Sequence, residues 1–588
     1  MKRFLGPLYR LKGLTTSVLR YPLTTAFLVV AAVLTAMLIN KNVDYSKYLF
    51  TCAVGAILGA ALQALYERFF EKFSSRILLL GAAALLTGGY YLIIHSAPGI
   101  GEEIAIRTSV AMFAVLIAFI WMPVIRSRIT FNESFMAVFK ALFQSAFYSA
   151  IIFGGLSLII FAIDQLIYQL DPRAYAHTAN IVFVLFLPIF FLSLIPIYPG
   201  KREIEVDDHK IEKATQCPKF LDVLISYIII PIAAVFTLIL VIYIALNITG
   251  EFWTNNLLES MIVSYAISVI LIYILASKLE NKFANLFRLI FPKVLVPIVV
   301  LQIISSAINM MDTGVTYTRY YEILFGIFAA AAGVVLSFVP VRKNGIIAAM
   351  LIAFSLFSVI PPVDAFTVSR VSQENMLKTV LMNNGMLENN TIKPKENLPE
   401  GDKQKIIQSV QYLSMMNYTD EIAYFPNDFN MYEDFNQTFG FNYFDMPAGQ
   451  KRPIFVTYDA QQPMGIAGFD VLIQTDISIP NKFMDPQSWE IKKSGQVYTM
   501  TKEVKDGNYY LTVKDINGQE IIHFTLDDIF TRYSDYDETK SAITYEQALF
   551  TVENTKARIS VVVQNANVDF MANETRSFAD FYVLVQIK

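Results

Sequence analysis

The chain has 588 residues, 55% apolar and 16% charged, with a mean hydropathy of +0.46 and a net charge of −3. That balance excludes an ordinary water-soluble globular protein, and a slightly acidic chain offers nucleic acid no electrostatic handle. The two cysteines, Cys52 and Cys217, both precede residue 363, so the stretch 363–588 contains no disulfide.

The opening "MKRFLGPLYRLKGLTTSVLRY" is basic and leads into an apolar run with no small-residue cleavage pattern, which predicts a retained first span rather than a removed signal peptide. A helix needs about 20 apolar residues to cross a bilayer. Runs of that kind fall near 22–39, 48–65, 77–94, 108–125, 143–167, 179–198, 221–246, 257–276, 290–309, 321–339 and 345–361, which makes eleven. The N-terminus and every second gap together hold 22 Lys and Arg, among them Arg20, Arg68, Arg76, Lys201, Lys278 and Arg342. The other gaps hold only five: Lys41, Lys47, Arg107, Arg173 and Arg319. Basic residues collect on the cytoplasmic side. The N-terminus is therefore expected inside and, after an odd number of crossings, the tail outside. A missed or invented span would scramble this alternation. Trp253 and the run "TYTRYY" at 316–321 suit an aromatic belt at the outer interface.

Ionisable residues within spans are functional suspects. The sequence displays no acidic pair in mid-span and no arginine series, and Asp164 sits where it can reach the interface. In the ninth span, "VVLQIISSAINMMDTG", Gln302, Ser305, Ser306 and Asn309 fall at i, i+3, i+4 and i+7 and share one helical face, which Asp312 and Thr313 extend. Such a face either lines a path open to the outside or hydrogen-bonds neighbouring helices, the second being the commoner use of uncharged residues in spans. A transferase acting on a lipid-linked substrate places carboxylates on outer loops; the sequence offers Asp44 in the first and Glu102-Glu103 in the second, neither being a paired acid in the first loop. Gly55-xxx-Gly59, Ala329-xxx-Gly333 and the series Ser260, Ser264, Ser268 have the spacing of closely packed helices. The longest inner gap, 199–220, is too short for a domain, and no phosphate-binding loop occurs.

Pro361-Pro362 closes the last apolar run, since the residue before each proline disfavours helix. A helix should follow and stop at Asn384-Gly385, and a second should run from about 402 to 416. "YFPNDFNMYEDFNQTFGFNYF" (424–444) is either a sugar- or cation-binding surface or a loop pinned by its aromatics. Strands are expected at 453–458, 469–477, 496–504, 508–515, 519–526, 548–554, 558–564 and 581–587, with hairpin turns at Asp506-Gly507 and Asn517-Gly518 linking three of them into a meander. The expected fold class is thus an α-helical polytopic membrane bundle of about 11 transmembrane helices followed by a soluble α+β domain with a mainly antiparallel sheet. The expected boundaries are 1–362 for the bundle, 363–449 for a juxtamembrane segment and 450–588 for the β-rich domain.

No H-E-x-x-H, C-x-x-C or G-x-S-x-G pattern appears. His523 lies mid-strand as an ordinary structural histidine, and "DYDETK" (535–540) lacks calcium-loop spacing. No catalytic residue, cofactor or metal ligand is assigned. The stretch "PPVDAFTVSRVSQENMLKTVLMNNGML", with "TYTRYYEIL" upstream and about eleven spans before it, resembles a bacterial membrane family known as domain of unknown function 4153. The resemblance implies a bacterial inner-membrane protein with a periplasmic tail, and carries no activity, cofactor or site residue. Three functions stay open: a non-enzymatic envelope protein whose exported domain binds a ligand or protein partner, a permease for a small or lipidic molecule, and a lipid-dependent transferase at the outer face. The lipid bilayer is the one partner common to all three.

Overall fold

The structure, a computed structural model, describes residues 6–41, 43–201, 208–250, 253, 257–426, 428–443, 454–459, 463–479, 487–505, 507–534, 542–569 and 576–588. It forms two compact units, Met1–Gly440 and Phe441–Lys588.

The first unit is helical. In chain order its main helices are α1 (Gly6–Arg20), α2 (Pro22–Lys41), α3 (Ser46–Phe69), α4 (Phe73–His95), α5 (Glu102–Trp121), α6 (Phe131–Leu166), α7 (Arg173–Leu194), α8 (Asp208–Thr215), α9 (Ile230–Asn247), α10 (Leu257–Leu275), α11 (Lys282–Thr313), α12 (Tyr317–Phe338), α13 (Gly345–Phe357), α14 (Ala365–Asn383), α15 (Glu400–Met415) and α16 (Met431–Phe439). Among the described residues, nine helices are long and apolar enough to cross a membrane. The two further predicted spans coincide with α10 and with α13, which has only 13 residues. The run near 345–361 therefore overstates the helix: it ends at Phe357, and a turn leads into a cis peptide between Pro361 and Pro362. Helix α1 was not anticipated.

Two spans contain a wider π-helical stretch, Asn180–Phe186 within α7 and Ile225–Ile229 just before α9. Each immediately precedes a turn bearing a proline, Pro188 or Pro231. A proline ring crowds the turn before it and removes one donor, and the π turn accommodates both effects.

The bundle core runs through Tyr21, Ile117, Phe131, Ile262, Val269, Phe287, Leu295 and Ala332. Small residues set two of its close approaches. A Cβ on Gly59 would lie 2.9 Å from Thr24 Oγ1 of α2, and one on Gly333 would lie 2.8 Å from Val296 Cγ2 and 3.1 Å from the Pro292 carbonyl of α11. The serine series behaves differently: Ser260, Ser264 and Ser268 lie on an exposed face of α10, not in a helix–helix seam. Asp164 accepts the Leu170 N–H (2.7 Å) and so caps the end of its own helix.

Helices α14 and α15 pack through Phe366, Leu377 and Leu381 against Ile406, Val410 and Leu413, all essentially inaccessible. Gly385 adopts φ +67°, the left-handed stop expected there. Most of the described aromatic run beyond α15 is interior. Tyr424, Phe425, Phe429, Phe435 and Phe439 are buried, with ring centroids 4.7–6.3 Å apart. These five form a small core that pins the segment, while Tyr432 of the same run is exposed.

Among its described residues the second unit contains ten strands: β1 (Ile454–Tyr458), β2 (Val471–Ile479), β3 (Gln487–Lys493), β4 (Gln496–Lys505), β5 (Asn508–Lys514), β6 (Glu520–Thr525), β7 (Ala542–Ile543), β8 (Leu549–Glu553), β9 (Ala557–Asp569) and β10 (Arg576–Ile587). The order β2-β10-β9-β1-β7, with β8 also on β9, makes one sheet, antiparallel except for the β1–β7 pair. The meander β3-β4-β5-β6 makes the other. It has four strands, because β3 joins through the turn Ser494-Gly495, where both residues have positive φ. Gly507 and Gly518 adopt the positive φ their hairpins need; Asp506 and 535–540 lie outside the described residues. Inward side chains of both sheets, including Val456, Val561, Val563 and Phe581 on one and Met500, Leu511 and Val513 on the other, close a single core with Ile529 of the short helix α17 (Asp527–Tyr533).

Phe581 is fully buried at the centre of this core. Phe581→Ala should destabilise the second unit by about 3–5 kcal/mol. Hydrogen exchange on the full chain checks this: protection should fall in β9 and β10 and stay unchanged in α2–α12.

Candidate functional site

The densest polar arrangement lies where the chain leaves the last apolar helix. Asp364 directly precedes α14 and is fully buried. Its Oδ1 accepts the backbone N–H groups of Phe366 (3.0 Å) and Thr367 (3.1 Å), which caps the helix where its dipole favours negative charge. The same oxygen receives Arg107 Nη2 of α5 at 2.6 Å. Arg107 also pairs with Glu103 one turn earlier (2.8 Å), donates to the Val359 carbonyl (3.3 Å) and lies over the Phe366 ring at 5.3 Å. One guanidinium thus joins α5 to both sides of the Pro361-Pro362 corner.

Glu102 and Glu103 are part of this joint. Glu102 accepts the Tyr317 hydroxyl of α12, and Glu103 accepts the Tyr418 hydroxyl at 2.6 Å. Burial, and then the Glu103 carboxylate, push the Tyr418 phenol above its usual range, so it stays a donor throughout the physiological range. Tyr317 stacks on Phe366 (5.3 Å), and its N–H donates to Tyr412 Oη (3.2 Å), which donates to Ser369 Oγ (2.6 Å). Gln373 donates to the carbonyls of Thr313 (3.0 Å) and Val315 (3.1 Å), and Ser372 accepts the Val315 N–H (3.0 Å). Helix α14 is therefore laced to the α11–α12 connection along two turns.

The ninth-span face belongs to α11. Gln302, Ser305 and Ser306 are buried and Asn309 is half-buried. Gln302 Nε2 donates to Ser306 Oγ (3.1 Å), Ser306 Oγ donates to Glu259 of α10 (2.7 Å), and Ser305 Oγ reaches the Trp253 carbonyl (3.5 Å). The Asp312 side chain and Phe252 lie outside the described residues. The half-buried Glu322 carboxyl of α12 lies beside that of Glu259. The structure thus supplies an acidic pair inside the bundle, where the sequence displayed none.

Three of the cavities formed by the described residues bear on the bundle's function. One of about 490 Å³ lies among α5, α6, α10, α12 and α13, and its lining, including Phe113, Phe135, Phe325 and Leu351, is nearly all apolar. Tyr321 and Ser358 border it, and Val110 of its wall is one turn from Arg107. A second of about 470 Å³ lies between α9 and α10 and takes in Ser264 and Ser268. A third of about 590 Å³ is polar, bordered by Arg128, Glu133, Asp208 and Lys278. Gln302, Ser305, Ser306, Asn309, Glu102 and Glu103 line none of the three. Among the described residues no group of three or more His, Cys, Asp or Glu side chains is placed to hold a metal ion.

Arg107→Ala leaves the Asp364 carboxylate buried without its cation, and should cost about 3–5 kcal/mol. Arg107→Ala/Asp364→Asn should cost clearly less than the sum of the two single changes. Thermal unfolding of the detergent-solubilised chain, set out as a double-mutant cycle, reads the coupling.

Comparison with curated proteins and with solved structures returns no match. Residues 25–392, from the first span through the helix after the corner, match the family described as Domain of unknown function (DUF4153), and the chain belongs to that family.

Proposed function

We propose that this is a non-enzymatic inner-membrane protein of the bacterial envelope, with its N-terminus in the cytoplasm and its C-terminal unit in the periplasm. In this reading the C-terminal unit binds a ligand or an envelope protein, and the bundle anchors it and senses its state. The observation that carries the reading is the Arg107–Asp364 joint. A passive tether would leave the chain after the last span loose, whereas here Asp364, just after the corner, is fixed by an ion pair to α5, and α5 is tied in turn to Tyr317 of α12 and to Tyr418. Those same contacts count against the transferase, since Glu102 and Glu103 are engaged by tyrosines and border none of the three cavities. The apolar 490 Å³ crevice supports a second reading, in which the bundle takes up a lipidic molecule.

Ile516, 76% exposed in the turn between β5 and β6, offers a reporter. In a chain lacking Cys52 and Cys217, Ile516→Cys should react with a membrane-impermeant maleimide added to intact spheroplasts. Reaction only after lysis would reverse the orientation. Photocrosslinking from the same position in cells should trap a specific envelope component, and recovery of the chain alone would remove the partner-binding reading. For the crevice, Leu351→Trp should expel a lipid that co-purifies with the wild-type chain in native mass spectrometry; an unchanged lipid complement would dismiss the second reading.

A further inference from the structure

Among the described residues, the acidic pair within the bundle has one arginine beside it. Glu259 of α10 is 5% exposed and accepts Ser306 Oγ; Glu322 of α12 lies beside it. Among the described residues, the cation beside Glu322 is Arg319, one turn earlier, and its guanidinium also serves Thr313 Oγ1 and the Asn309 carbonyl (3.3 Å). Two carboxylates against one guanidinium leave a net charge of −1. An uncompensated charge among apolar helices is costly and is ordinarily neutralised.

A second observation points into the same space. Gln302 is 1% exposed, and its Oε1 has no hydrogen-bond partner. Its orientation follows from the network. The single Ser306 hydroxyl hydrogen goes to Glu259, so the amide atom facing Ser306 must be the donor, Nε2. Oε1 is thereby turned toward α12, where a Cβ on Gly326 would lie 3.1 Å from it. Gly326 is one turn from Glu322 on the same face of α12. Gln302 Oε1 and the Ser306–Glu259 contact thus lie a turn apart on the face of α11, and Glu322 lies a turn from Gly326 on α12.

We propose that Glu259, Glu322 and Gln302 Oε1 form an intramembrane site for one monovalent cation, either a proton shared by the carboxyls or a sodium ion bound by the oxygens. Both supply the same missing charge. A shared proton lets one carboxyl donate to the other or to Gln302. A sodium ion is a hard cation and takes oxygen ligands. This site does not depend on which side the C-terminal unit faces or on what that unit binds.

The test uses the full chain in lipid nanodiscs at constant ionic strength. Thermal stability is measured in sodium chloride against choline chloride, and infrared difference spectra are recorded across a pH titration. If a proton fills the site, the wild type shows a protonated-carboxyl stretch that disappears in both Glu259→Gln and Glu322→Gln, with no sodium dependence. If sodium fills it, the wild type alone shows a saturable sodium-dependent rise in Tm, weakened at least tenfold in Gln302→Leu and lost in Glu322→Gln. The glutamine variants keep size and hydrogen-bonding capacity, and elution as a single monodisperse species confirms their folding. A wild type with neither a carboxyl band traceable to this pair nor a specific sodium effect overturns the proposal, and it does so without reference to any variant.

Discussion

The buried pair between Arg107 and Asp364 is the contact on which the rest of the first unit depends. A fully buried carboxylate is tolerated only with a cation and hydrogen-bond donors, and Asp364 has the guanidinium and two helix N–H groups on one oxygen. That requirement fixes the start of α14, and with it the whole helical cap. Tyr418, just beyond α15, then binds Glu103, and Tyr317 of α12 binds the neighbouring Glu102. The conformation of the corner is thus set by electrostatics, and apolar packing through Phe366, Leu377 and Leu413 fills in behind it.

Much of this was legible in sequence, because bilayer thickness and charge asymmetry act on single segments. The positions of the apolar helices follow from run length alone. The turns at Gly385, Gly507 and Gly518 follow from residues that tolerate positive φ. What was not legible depended on partners distant in the chain. Ser306 meets Glu259 across 47 positions, and Arg107 meets Asp364 across 257. A periodic stripe predicts which residues share a face, but not what they face. Read as a strip of uncharged glue, the ninth-span face turns out to hydrogen-bond a carboxyl, that of Glu259.

The misses have physical reasons of their own. The strand Gln487–Lys493 carries charged and polar residues on its exposed face, and only Ile491 is deeply buried, so its alternation is faint. The serine series of α10 has the spacing of a packing seam, yet spacing does not say which side of a helix meets a neighbour. The π turns near Pro188 and Pro231 could have been suspected from proline in mid-span, as with Pro292 and Pro297 inside α11. Arg107 had a signal as well, being one of only five basic residues on the sparse side, where a cation is unusual unless something negative holds it.

The brevity of α13 has a mechanical consequence. Thirteen residues rise about 20 Å, against about 30 Å for the hydrocarbon core. Its outward residues Ile346, Leu356 and Phe357 are exposed to whatever surrounds the bundle, and the basic pair Arg342 and Lys343 sits at its start. Such mismatch is relieved by local thinning of the bilayer, at a fraction of a kcal/mol per Å. The Asp364 joint begins seven residues after this helix ends, so longer acyl chains would load that joint. The corner is in this sense a gauge of membrane thickness, and its resting strain is set by the lipids as well as by the protein.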